Sequence, residues 1–403
     1  MRLPPRAVAL AGLARLCEPP VSAIVGSFVD GISPEEAWAA IAGRTAPTEV
    51  LAAVAPRLGS VAAADLEVRA LDDLRIASDV GATIFGPGDR DWPGESFEPL
   101  QWVAPYDKCT HAWSPLALYR RGDSWPIRPR SGVAVVGSRA ATPYGVRVAT
   151  ELSASAVDDG FTVISGAAFG IDAAAHRGAL HGGAAHGGSA GLEQLTGATV
   201  AVLACGIDRA YPAAHRALID MIAFDGSVVS EYPPGAVPAR HRFLVRNRLI
   251  AAFAEVTVVV EAGRRSGSLN TATSAASLGR TVVAIPGPVT SAMSTGCHEL
   301  IRDGKASLVA SWADIRPLLG PIAAGANPNR IGTRATDGLD LVAARVYEAL
   351  PARGGVVVDA IAVEAALHVN DVIGALAVLR TDGLVERRDG LWGRVPHPSG
   401  APA

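Results

Sequence analysis

Lysine is all but missing from this chain: Lys108 and Lys305 are the only two in 403 residues. Nearly every fixed positive charge is therefore a guanidinium, always protonated and armed with a planar fork of donors. Cysteine is as scarce. Cys17, Cys109, Cys205 and Cys297 lie far apart with no CxxC pair, so neither a disulfide framework nor a metal site is indicated, and reduced thiols in a cytoplasm are the simple reading. Acid and base nearly cancel at a net charge of −3, which excludes a histone-like polyanion coat but not a local basic patch. No run approaches the roughly 20 uninterrupted apolar residues of a membrane span. Arg2 and Arg6 before Ala7–Ala14 imitate a short signal peptide, yet Arg15 breaks the run and Arg15-Leu16-Cys17 lacks the small residues that cleavage needs. An amphipathic first helix and a soluble chain with no membrane partner are expected.

Apolar material is plentiful. Hydrophobic residues make up 49% and charged ones 19%, enough for real cores, and a prior of about 150 residues per domain gives two or three domains. Residues 1–125 read as a mainly helical domain: apolar positions recur at three and four over Arg6–Leu16, Pro19–Val29, Pro34–Ala42, Pro47–Ala55 and Val61–Ala77. Short strands at Ala82–Phe85 and Leu116–Tyr119 flank a Trp/Pro-rich passage. From Val133 the texture changes. Runs rich in β-branched residues at Val133–Val136, Thr162–Ile164, Thr199–Leu203, Ser227–Val229, Thr257–Val260 and Thr281–Ile285 alternate with helical stretches such as Tyr144–Val157, Ile171–Leu180 and Arg246–Phe253. Such alternation means an α/β domain over residues 126–319, a parallel sheet covered on both faces. His181–Gly197, rich in Gly, Ala and His, reads as a surface insertion and not as a metal tract. Residues 320–337 form a linker. Residues 338–395, with three helices and a hairpin closed by Asp389-Gly390, show the winged-helix pattern, and residues 396–403 are a disordered tail.

The chemistry gathers behind the strands. Strand runs lead into Gly137-Ser138-Arg139, into Ser165-Gly166 through Gly170 to Asp172, and into Gly263-Arg264-Arg265-Ser266-Gly267-Ser268. In a parallel sheet these turns meet at one edge, where glycines admit a ligand to the backbone and helix starts aim N–H groups at it. Hydroxyls and guanidiniums beside those glycines make it a phosphate-binding edge. The dinucleotide GxGxxG spacing is absent after the first strand, and no Gly-Lys-Ser/Thr exists for a Walker A loop. Between Glu261 and Glu299 there is no Asp or Glu, so a general base or metal carboxylate is missing there; Asp172 and Asp208 are read as helix caps. A second signal is Arg240-His241-Arg242-Phe243-Leu244-Val245-Arg246-Asn247-Arg248, with no Asp or Glu between Tyr232 and Ala254. Its charge is expected to be unneutralised, with Arg246 and Asn247 opening a helix and Phe243 supplying a ring. Cations plus an aromatic platform suit a flexible single strand.

These stretches resemble the DNA-processing protein A family (DprA, also called Smf). The likeness is carried by Val133–Arg139, Ser165–Asp172 with Ala175-His176, Leu203–Gly206 with Asp208, Tyr211-Pro212 and His215, Ser230–Gly235, Arg246-Asn247-Arg248, Val259–Ala262, Ser266–Leu269 with Thr271-Ala272, and Pro286-Gly287. It spans about Leu116 to Val309. The resemblance implies a Rossmann-like protein that binds single-stranded DNA cooperatively, dimerises, and helps load the recombinase RecA, with Arg139, Arg240 and Phe243 at the strand and no cofactor. The chain departs from the family in carrying Leu244 where Pro usually follows the Phe, in a longer insertion at His181–Gly197, and in N-terminal helices that form only a degenerate helix-hairpin-helix or SAM-like domain. The presumed recognition helix Asn370–Thr381 has only Asp371 and Arg380 as charges, which favours protein docking over reading of a major groove. Two rival functions remain. A nucleotide phosphoribohydrolase of the lysine-decarboxylase-like kind needs a Glu that Ser266–Thr271 lacks; a winged-helix transcription regulator needs a more strongly charged recognition helix.

Overall fold

The computed structural model of the chain describes residues 5–19, 21–103, 113–122, 131–185, 199–319, 341–351, 354–381, 384–388 and 390–395. The expected linker at 320–337, the tail at 396–403 and most of the expected insertion lie outside the described residues. Contacts divide the chain into two units, Met1–Ala326 and Asn327–Ala403.

The first unit is built on a nine-stranded sheet. Its strands are β1 (Ala82–Phe85), β2 (Leu118–Arg121), β3 (Gly132–Val136), β4 (Thr162–Ser165), β5 (Thr199–Leu203), β6 (Ser227–Ser230), β7 (Val256–Val259), β8 (Thr281–Ala284) and β9 (Ser307–Leu308), in the spatial order β1-β2-β6-β5-β4-β3-β7-β8-β9. From β6 across to β9 every pairing is parallel, and β1 and β2 add an antiparallel edge. The chain leaves β3 toward β4 on one side and returns to β7 on the other, then moves outward to β8. Connections therefore diverge from β3 and β7, which makes the sheet doubly wound, of Rossmann-like α/β type. Each of β3 to β7 is buried along its whole length, and this is why their β-branched runs are apolar at consecutive positions rather than alternating.

Helices α1 (Pro5–Leu16), α2 (Ser22–Val29), α3 (Pro34–Ala42), α4 (Thr48–Leu58) and α5 (Ala63–Asp79) precede the sheet. Further along come α6 (Gly94–Val103), α7 (Pro143–Asp158), α8 (Ile171–Ala185), α9 (Arg216–Asp225), α10 (Arg240–Ala252), α11 (Ser268–Ser277), α12 (Thr295–Arg302) and α13 (Trp312–Ile315). One face of the sheet packs on α6, α10 and α11 through Phe97, Leu100, Leu249, Phe253 and Ala275. On the other face α7 and α8 pack through Ala149, Leu152, Ala175 and Ala179.

Three expectations are corrected here. The boundary at residue 125 is crossed by the sheet itself, because β1 and β2 hydrogen-bond onto β6 and carry the N-terminal helices into the same unit. Helix α8 runs on to Ala185, past the expected end at Leu180 and into the expected insertion. Helix α10 starts at Arg240 rather than Arg246, with Ala239 extended at its N-cap.

The second unit has α14 (Leu341–Glu348), α15 (Val358–Ala365) and α16 (Val369–Thr381), followed by the antiparallel hairpin of β10 (Val385–Arg388) and β11 (Leu391–Arg394). Val356 exchanges both backbone hydrogen bonds with Trp392, adding a third short segment to the hairpin. Val346, Ile361, Val372, Leu376, Leu379 and Val385 form its core.

Candidate nucleic-acid interface

The edge of the sheet where β3 to β8 end carries every residue singled out in the turns, but many of them face inward. At the point where the connections diverge, the Ser138 N–H donates to the Glu261 carbonyl at 2.7 Å, and the Ser138 hydroxyl donates to Met293 Sδ at 3.3 Å. The buried Glu261 carboxylate accepts from the Thr142 hydroxyl at 2.6 Å and from the Thr142 N–H at 2.9 Å. Gly145 lies so close that a β-carbon there would sit 2.3 Å from a Glu261 oxygen. An internal carboxylate thus takes the N-terminus of α7, the place a nucleotide phosphate takes in a dinucleotide fold.

The glycines of the edge serve packing. Gly170 has φ +74° and lies against the Ser138 and Arg139 carbonyls, while Gly137 is pressed on Ile171 and the Glu261 carbonyl. A β-carbon on Gly166 would stand 2.3 Å from the guanidinium of Arg246. That guanidinium, read earlier as a strand contact at a helix start, is buried in the middle of α10 and donates to the carbonyls of Gly166, at 2.9 Å, and Val202. Burial lowers its pKa, opposed by nearby Asp172. Asp172 is pushed the other way, upward, by its own burial, with Arg246 holding it back. Ser165 donates to the Val135 carbonyl at 2.7 Å, so its hydroxyl is committed as well. Asp208 caps no helix; it accepts from the Gly235 N–H at 2.9 Å and ties two loops together.

The basic run is also less free than its sequence implies. Arg248 is fully buried and paired with Glu231 at 2.7 Å, and it also donates to the Trp113 carbonyl. Arg242 binds both oxygens of Glu18, a residue of the N-terminal helical region, and lies 5.1 Å from the Tyr232 ring centre. Asn247 spans from α10 to the next turn, donating to the Gly267 carbonyl at 3.3 Å and to Asn270 at 3.2 Å. In that turn Ser266 and Ser268 bond to each other at 2.7 Å, Gly267 is exposed, and the exposed Arg264 pairs with Glu299 at 2.9 Å.

What remains directed outward forms one cluster. Arg139 places its guanidinium 4.9 Å from the centre of the Phe243 ring, in cation–π range. Tyr211 meets the same ring at 5.4 Å, and Phe169 meets His215 at 4.7 Å on the short turn that also carries Tyr211. Phe169 and Tyr211 are 48% and 42% exposed, high for aromatics and open to a planar partner. Arg240 is exposed at the first position of α10, and among the described residues neither it nor Arg139 has a carboxylate partner. The structure therefore brings Arg139, Arg240 and Phe243 to one surface and adds Tyr211 and Phe169, which sequence reasoning passed over. Their signal was an aromatic inside a post-strand loop. Arg246, Arg248 and Ser165 are withdrawn from that surface by the contacts above.

A doubly wound α/β chain with an aromatic and arginine-bearing sheet edge defines the class. The family model of DNA recombination-mediator protein A matches residues 87–320, and the chain belongs to that family. It is 44% identical over 391 residues to a DNA processing protein DprA of Mycobacterium tuberculosis, covering 96% of this chain and 94% of the relative. The DNA processing protein DprA of Streptococcus pneumoniae is 39% identical over 221 residues, 55% of this chain and 72% of that one. The X-ray structure of DNA processing protein A from Streptococcus pneumoniae superposes with a TM-score of 0.54 at 29% identity, covering 79% of this chain and 98% of that chain.

Proposed function

We propose that this protein binds single-stranded DNA along the surface of Arg139, Tyr211, Arg240 and Phe243, and acts in the cytoplasm as a non-enzymatic recombination mediator. In this reading it is a homodimer that passes the strand to RecA. The observation that carries the reading is the stack of Arg139 on Phe243 with Tyr211 beside it. Bases of a single strand are free to stack on such rings while its phosphates reach the adjacent guanidiniums; a duplex has already used its base faces. The serine turn at Ser266–Ser268 adjoins this surface through Asn247, one helical turn beyond Phe243. Glu261 at the start of α7 supports binding over nucleotide hydrolysis, since it takes the position a nucleotide phosphate needs. In the C-terminal unit, Ile373 and Val378 on α16 and Val363 on α15 are exposed, which supports protein docking by a winged helix rather than base reading.

The test is a gel-shift comparison of single- and double-stranded oligonucleotides of one length over a salt series. Single strands should bind more tightly with little dependence on sequence. Equal affinity for both forms would reduce the interaction to charge alone. Release of free base from nucleoside monophosphates, at a rate that follows the purified protein, would return the hydrolase reading.

A further inference from the structure

A cavity of about 460 Å³ opens at the seam between the N-terminal helices and the loop after β6. Arg15, Arg57, Arg69 and Arg242 line it together with one carboxylate, Glu18, and the ring of Trp38. Arg15 is spent on structure: it forms a two-point pair with the buried Asp73 and donates to the Pro234 carbonyl at 3.2 Å. The other three share a single carboxylate, so as a set they keep surplus positive charge. Glu18 is shared between Arg242 and Arg57, the latter at 3.3 Å, and Arg69 is exposed with no carboxylate partner among the described residues. Trp38 lies flat enough on α1 that a β-carbon on Gly12 would sit 2.4 Å from its ring, so one wall is a held aromatic plane. Surplus guanidinium opposite an aromatic wall, in a space the size of small-molecule pockets, matches a phosphate joined to a planar base. Position adds to chemistry. Arg242 and Phe243 are consecutive on α10 and face different ways, one toward Glu18 and the cavity and the other toward Arg139.

We propose that this cavity is a nucleotide-binding site, taking the phosphate on Arg57 and Arg69 and the base against Trp38. The nucleotide comes either from the strand that has crossed Phe243, which extends the footprint onto the N-terminal helices and rests on the single-strand reading, or as a free mononucleotide, which does not. The full-length protein and its Arg57→Gln/Arg69→Gln variant are compared, with Arg69→Gln alone as the exposed substitution that leaves Glu18 undisturbed. Thymidine monophosphate and inorganic phosphate are titrated by calorimetry, and fluorescent oligothymidylate by anisotropy over a salt series. If the strand supplies the nucleotide, the double variant lowers the slope of log affinity against log salt by about 1.4, at about 0.7 per lost contact, and Arg69→Gln by half of that. If a free nucleotide is the ligand, thymidine monophosphate binds above inorganic phosphate, the variants weaken it tenfold or more, and the oligonucleotide slope stays put. Either result carries the site. Circular dichroism that matches the parent, with both ligands bound as by the parent or by neither protein, overturns it. A Phe243→Ala protein that binds oligonucleotide unchanged would sink the strand reading alone, because the mononucleotide titration still reports on the cavity.

Discussion

Replacing Phe243 by alanine separates stacking from charge at the proposed surface. The ring is half-buried, with Tyr211 at 5.4 Å on one side and the Arg139 guanidinium at 4.9 Å. Its loss removes one base platform, about 1–3 kcal/mol, which is about 5- to 150-fold in affinity. Stacking releases no counterions, so the salt slope of Phe243→Ala should match that of the parent. Arg139→Ala should instead lower the slope by about 0.7, the signature of one phosphate contact on a single strand. The two effects should not add. Each substitution also dissolves the cation–π contact that orients its partner, worth about 0.5–1 kcal/mol at an exposed site, so the double variant should lose less than the sum of the singles by about that amount. Anisotropy titrations of all four proteins with oligothymidylate over a salt series measure both quantities. Full additivity, or a slope for Phe243→Ala that falls as far as that of Arg139→Ala, would refute the stacked arrangement as the binding element.

Buried His176 makes stability depend on pH. Its Nδ1 meets the Thr199 hydroxyl at 2.8 Å, that hydroxyl donates onward to the Val163 carbonyl, and Nε2 has no partner among the described residues, so the native ring is the neutral Nδ1–H form. Burial, with Arg246 and His215 close by, lowers its pKa from 6.5 to about 3. Between those values the unfolded chain binds the extra proton, so stability is full above pH 6.5 and falls as pH drops. By pH 5 this site alone should cost about 2 kcal/mol, and His176→Gln should flatten that part of a denaturation series. Gly166→Ala would displace the Arg246 guanidinium from the Gly166 and Val202 carbonyls, and chemical denaturation should show a loss of about 1–3 kcal/mol. Arg248→Met should strand the Glu231 carboxylate at about 3–5 kcal/mol, with much of the loss recovered by Glu231→Gln; folded protein should keep the parental salt slope for DNA, whereas a lowered slope would restore Arg248 to the strand.

Local pattern was enough to read strands β3 to β8, but neither β9 nor the antiparallel edge that β1 and β2 add to the same sheet. Thr199–Leu203 was legible to the residue and Ala82–Phe85 likewise, because consecutive β-branched residues between glycine-bearing turns allow little else. Helix α6 was hidden in its Trp/Pro-rich passage by Pro99, although Phe97 and Leu100 bury themselves in the core. The start of α10 was missed for another reason. Arg240 to Phe243 show no apolar periodicity, and what holds that turn is remote: Glu18 lies 224 residues from Arg242 in the chain. The same distance explains the error about charge. A stretch without acidic residues looks cationic, yet Glu231 and Glu18 neutralise Arg248 and Arg242 through the fold. Glycine in the turns misled in a related way, since Gly166 makes room for a side chain of this protein rather than for a ligand.

The carboxylate of Glu261 bears on why a polymer would be the ligand here. An open crevice between diverging connections holds a compact ligand with its phosphate on the helix N-terminus. In this chain that position is filled by Glu261, held by two bonds from Thr142, and Met293 closes over Ser138. The proposed binding surface accordingly consists of side chains standing on the rim: Arg139 from the turn after β3, Tyr211 from the loop after β5, Phe243 and Arg240 from α10. A rim of this kind has no closed end. In the proposed reading such a rim would grip a backbone by charge and its bases by stacking without requiring a terminus to enter, while the arginines withdrawn beneath it, Arg246 and Arg248, tie α10 to the loops around it. Guanidinium suits both tasks, the buried fork and the exposed stack, in a way an ammonium does not, and that gives the near absence of lysine at this edge a physical sense that composition alone could not supply.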